Sequence, residues 1–173
     1  MLKRLLFIGA AIAMVVGLTG PVGAGPKDTD RAFNAHLTGE LTFAFGEPCD
    51  QGPIVTTTSY GNATHMGRVE AHWTQCAIGA TGGFVDQTGT IVSHKGDAIM
   101  LAASNPAGQN PYPVTIVGGT GRFEGATGSV MVSFQVVPEL LPHEQCTPSP
   151  QDPCFNPFVP WAWSARIDGR ISY

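Results

Sequence analysis

Ile116–Val130 reads IVGGTGRFEGATGSV. Five glycines (Gly118, Gly119, Gly121, Gly125 and Gly128) fall within it, between β-branched Ile116-Val117 and the run Val130–Val137. Glycine at that density marks backbone that needs positive φ or close approach, as at tight turns, bulges and barrel corners. The stretch predicts a strand, a sharp corner and a second strand. A phosphate-binding loop is the competing use of such glycines, but no Gly-Lys-Ser/Thr follows and no helical pattern opens after them. The corner is structural, and it belongs to an all-β sheet.

Downstream, Trp161, Trp163, Ala165, Ile167, Ile171 and Tyr173 alternate with Ala162, Ser164, Arg166, Asp168, Arg170 and Ser172. Period two over thirteen residues is a half-buried strand. Upstream, the same pattern runs through Phe33–Phe45 and through Val69, Ala71 and Trp73. Ile54–Tyr60 and Val114–Val117 are β-branched runs, and Phe84–His94 and Asp97–Ser104 flank the turn His94-Lys-Gly-Asp97 as a hairpin. No segment after the leader keeps a helical period over three turns. Seven or eight strands with turns every 8–12 residues or so predict a sandwich or a closed barrel.

Lys3 and Arg4 precede the apolar run Leu5–Leu18, which Gly20-Pro21 breaks before the small residues Val22-Gly23-Ala24. This is the pattern of a signal peptide cleaved after Ala24, and the run is shorter than the roughly twenty residues of a spanning helix. Residues 1–24 are therefore assigned to the leader, 25–32 to a flexible segment, and 33–173 to one folded domain. The protein is expected to be secreted or periplasmic, with no membrane anchor after cleavage. Losing Lys3 and Arg4 leaves seven basic and thirteen acidic residues, a formal charge of −6, and no basic run. That balance excludes nucleic acid as a partner.

Cys49, Cys76, Cys146 and Cys154 make an even count in an exported chain, which reads as two disulfides. No Cys-x-x-Cys is present, and HEQC at 143–146 is a poor ligand set, so no metal and no cofactor are expected. The segment 138–160 holds seven of the fourteen prolines and two of the cysteines. A Cys146–Cys154 ring would staple it, leaving Cys49–Cys76 to tie the first strand to the third. Pairing of the loop with Cys49 or Cys76 stays open at this level.

GNATHMGR (Gly61–Arg68), IVGGTGRFEGATGSV and IDGRIS (Ile167–Ser172) carry a resemblance. Together they resemble exported bacterial proteins of the allene oxide cyclase-like barrel family, which shares its fold with plant allene oxide cyclases and dirigent proteins. The resemblance implies a single antiparallel, calycin-like barrel of about eight strands with an apolar interior, often oligomeric in the plant relatives. The 138–160 insertion and the four cysteines depart from the family pattern. No interior polar residue of the plant cyclases matches a position here, so the resemblance carries over no catalytic residue.

No nucleophile motif of the G-x-S-x-G, H-E-x-x-H or S-x-x-K kind occurs. His36 and Glu40 share a strand face and can approach Arg68, Glu70 and His72, but these positions read as a solvated outer wall with cross-strand charge pairs. Phe33, Phe43, Phe45, Trp73, Trp161 and Trp163 occupy the apolar faces. Of these, Phe43, Trp73, Trp161 and Trp163 are the expected lining of a ligand site, if the aromatics bound a cavity rather than fill the core. The expectation is an exported non-catalytic barrel that holds a small hydrophobic molecule. A cyclase- or isomerase-like enzyme, or a protein that binds a partner through 138–160, are the alternatives.

Overall fold

Of the two arrangements that hide one face of every strand, the sandwich and the closed barrel, the chain adopts the barrel. Each strand pairs with the next and the last pairs with the first. The computed structural model describes residues 30–46, 49–50, 52–79, 81–147 and 154–173. The leader expected at 1–24 and most of the 25–32 segment lie outside them. Eight strands follow in order: β1 Arg31–Ala44, β2 Ile54–Ala63, β3 Gly67–Ile78, β4 Gly83–Ser93, β5 Ala98–Asn105, β6 Tyr112–Thr120, β7 Thr127–Val137 and β8 Trp161–Ser172. All neighbours are antiparallel, and β8 closes on β1. Strand β1 begins at Arg31, so the last two residues assigned to the flexible segment belong to the wall.

Closure removes every sheet edge. It also puts one face of each strand inside. Leu37 lies between Gly61 of β2 and Ala165 of β8, and with Ile91, Leu101, Ile116, Val132 and Ile167 it forms a dry central layer. Phe45 is an exception to the expected pattern. Strand β1 ends at Ala44, the alternation stops there, and Phe45 is 66% exposed.

Because strand direction alternates, one end of the barrel collects the 64–66, 94–97 and 121–126 connections together with the start of β1 and the C-terminus. This end is plugged. Gly121–Phe123 forms a single 3-10 turn that drives Phe123 inward, where it has no exposed surface. Phe33, Met66, Ile99 and Ile171 are likewise buried around it, and Tyr173 meets Phe123 edge to face at 4.7 Å. Gly121 sits at φ +62°, and a Cβ there would overlap the Asp97 carboxylate. That carboxylate clamps the corner by accepting from Arg122 Nε at 3.1 Å and from the Arg122 backbone N–H at 3.3 Å.

The opposite end collects the 45–53, 79–82, 106–111 and 138–160 connections, the first and last of them the longest between strands, and both disulfides lie here. Cys49 of the β1–β2 connection is bonded to Cys76 near the end of β3, and Cys146 is bonded to Cys154 within the β7–β8 connection. The latter connection is not wholly irregular. Leu141 N–H donates to Cys154 O at 2.8 Å and Asn156 N–H to Glu139 O at 2.7 Å, a short antiparallel ladder.

Candidate functional site

The buried side chains of the plugged end are apolar except for Ser93, whereas the other end, the mouth, has polar groups set among aromatics. A cavity of about 50 Å³ lies there, bordered by Trp73, Gln75, Gln87, Tyr112, Phe134 and Trp163, among others. Its residues reach it by two routes. Trp73, Gln75 and Trp163 follow simple alternation, continuing Val69 and Ala71 on β3 and preceding Ala165 on β8. Phe84 and Gln87 do not, since three positions apart on a regular strand places side chains on opposite faces.

A β-bulge reconciles them. The register of β4 against β5 shifts between Phe84 and Gln87, so two consecutive residues, Val85 and Asp86, are absorbed by the distortion. Asp86 adopts φ +54° and is exposed, while Phe84 and Gln87 both turn inward and are 4% and 5% exposed. Bulges that re-aim a side chain in this way recur beside functional sites. Gln87 Nε2 then donates to Gln75 Oε1, and the Tyr112 hydroxyl donates to Gln87 Oε1 at 3.2 Å. Burial pushes the Tyr112 phenol up to about 12, with the Gln87 bond opposing the shift.

Trp73 is the centre of the site. Its indole lies over Gly89, its register partner, where a Cβ would collide with the ring. The residue is 3% exposed. Its Nε1–H is the buried side-chain polar group that, among the described residues, has no hydrogen-bond partner in the protein. A buried donor without an acceptor costs about 1–3 kcal/mol, so natural cores rarely keep one. Trp161, by contrast, donates its Nε1–H to Asn156 O at 2.6 Å.

Of the four aromatics expected at the site, Trp73 and Trp163 border the cavity. Phe43 and Trp161 are not among its lining; they pack edge to face at 4.5 Å, with Phe155 against Trp161 at 5.3 Å. The expected outer-wall residues stay outside. Strand β2 stands between β1 and β3, so Glu40 and His72 are separated by Thr58. His72 instead meets Glu70 on its own strand at 2.9 Å. Larger hollows occur on this outer wall, one of about 570 Å³ beside Tyr60, Arg68 and His94. They are spaces on the outside of a curved sheet, bordered mostly by exposed and half-buried side chains.

What the mouth can do follows from its inventory. None of its described lining residues is a carboxylate, imidazole, ammonium or thiol. Tyr112 is its one titratable group, and it stays neutral far above physiological pH. The cluster is equipped to orient a guest by neutral hydrogen bonds and poorly equipped to move protons.

No protein-family model matches the chain, and no curated protein matches its sequence. Among solved structures the barrel is similar to two dirigent proteins. The pterocarpan synthase dirigent protein PsPTS1 has a TM-score of 0.55 at 11% identity, over 86% of this chain and 97% of that one. The pterocarpan synthase dirigent protein GePTS1 has a TM-score of 0.55 at 14% identity, over 89% and 97%. At these identities the likeness is one of fold, an eight-stranded closed barrel.

Proposed function

We propose that this chain is an exported, non-catalytic binding barrel of the allene oxide cyclase-like kind, which takes the polar end of a small apolar molecule at its mouth. The observation that carries this reading is that Trp73, whose buried Nε1–H has no partner, borders a cavity. A carbonyl, ether or hydroxyl oxygen arriving there would recover the hydrogen bond that the fold leaves unmade. The cavity is far smaller than the roughly 300–1,000 Å³ of a site that encloses a drug-sized ligand. The guest therefore binds end-on. Its polar head enters beside Trp73 and Gln87, and its apolar body rests on Trp163, Phe134 and the rim. The two disulfides fit the oxidising compartment that an exported protein reaches.

An isomerase-like enzyme is favoured by one feature, the polar cluster inside the barrel, and disfavoured by the absence of a group there that titrates near neutrality. Native mass spectrometry of protein purified from its own source, before and after denaturation, tests the binding reading. A non-covalent extra mass of roughly a few hundred daltons, lost on unfolding, is the expected result. A bare mass, together with no change in tryptophan emission on adding 4-tert-butylacetophenone, would overturn it.

A further inference from the structure

Charge is sorted along the barrel axis. The six described cations, Arg31, Arg68, Lys95, Arg122, Arg166 and Arg170, lie in the plugged half or at mid-wall. The mouth end carries Asp50, Asp86, Glu139 and Glu144, all exposed, and its four connections contain no Lys or Arg. The ion pairs follow the same division. At and near the plugged end Asp97 meets Arg122, Asp30 meets Arg170 and Asp168 meets Arg166. Among the described residues, no ion pair involves the four mouth carboxylates.

An acidic rim by itself is only a field. Here it lies at the same end of the barrel as the cavity that Trp73 borders, a residue only 3% exposed whose indole N–H has no acceptor, so the field acts on a guest entering there. Carboxylates of one sign around a low-dielectric opening focus potential into it, raising the local concentration of cations and lowering that of anions. The partly exposed rings of Phe155, Trp161 and Trp163 supply π faces that a cation favours. An anionic guest would meet repulsion at the rim and no cation inside to offset it. Resting on the binding reading above, we propose that the mouth selects its guest by charge. It takes apolar organic cations whose leading end is a neutral hydrogen-bond acceptor, in preference to carboxylates and phosphates.

Three probes with a shared acetylphenyl group test this. They are (4-acetylphenyl)trimethylammonium, its neutral isostere 4-tert-butylacetophenone, and 4-acetylbenzoate. All three tryptophans of the chain lie in the mouth half, so their emission reports binding to the intact mature protein. At low ionic strength the cation should bind about tenfold more tightly than the carboxylate, with the neutral ketone between them. The gap should close as salt shortens the screening length. The combined variant Asp86→Asn, Glu139→Gln, Glu144→Gln should bring the cation and the carboxylate together, and the salt titration of the unmodified protein repeats the test without any substitution. Binding of the neutral ketone with no preference between the charged probes, or with a preference for the carboxylate, would overturn the charge filter alone. Failure of all three to bind would overturn the binding reading with it.

Discussion

The two ends of this barrel are built from the same kind of strand, and they differ in what completes them. At the plugged end the connections are short, a glycine-rich corner folds Phe123 inward, and the buried side chains are apolar except for Ser93. At the mouth the two longest connections carry disulfides, a bulge turns a glutamine inward, and an indole N–H is left without an acceptor. One end is finished as a core, and the other leaves one buried donor without a partner among the described residues. On the proposed reading, a binding site in a small barrel need not be a large hollow, because an end where hydrogen bonding is left incomplete marks where a guest would sit.

This contrast is open to attack at three points. The largest effect should come from the plug. Phe123→Ala removes a fully buried ring and should cost about 3–5 kcal/mol in denaturant unfolding; a loss below about 1 kcal/mol would mean that the corner is not the closing layer of the core. The second point is pH. The folded pKa of Tyr112 lies above that of a free tyrosine, so the folded state holds its proton where the unfolded chain has released it. This contribution is intact below about pH 10 and is lost between about 10 and 12, on the order of 2 kcal/mol. Tyr112→Phe should abolish that decline, and an unchanged alkaline limb would show that the phenol is not sequestered. The smallest effect should be that of Trp73→Phe. It loses packing area but also removes a donor whose burial is uncompensated, so stability should move by no more than about 1 kcal/mol. A loss of several kcal/mol would make Trp73 an ordinary core residue.

Much of the frame was legible in the sequence. Strict alternation located β1 and β8 to within two residues of their ends and found the inward face of β3, and the five-glycine stretch marked the turn from β6 to β7. Alternation also pointed Trp73 and Trp163 inward. It failed where geometry departs from period two. Gln87 is unreachable by counting, because nothing local announces that Asp86 will take up positive φ and let two residues share one step. Gln75 and Tyr112 do follow the inward parity of their strands, and a polar residue on an otherwise apolar face was the available signal. The acidic rim was invisible for another reason. Asp50, Asp86, Glu139 and Glu144 are scattered over 95 residues of chain, and only the alternating direction of eight strands brings them to one end.

On the proposed reading, the Trp73 indole at the mouth gains its missing acceptor from the guest. Amide and indole ¹H–¹⁵N spectra of the mature protein, recorded while 4-tert-butylacetophenone is added, test it directly. The account predicts that the Trp73 Nε1–H resonance moves downfield as it gains a partner, that Trp161, already bonded to Asn156, keeps its indole bond, and that the amides around Phe123 stay in place. Shifts concentrated on the outer wall or around Phe123, with the Trp73 indole unmoved, would contradict it.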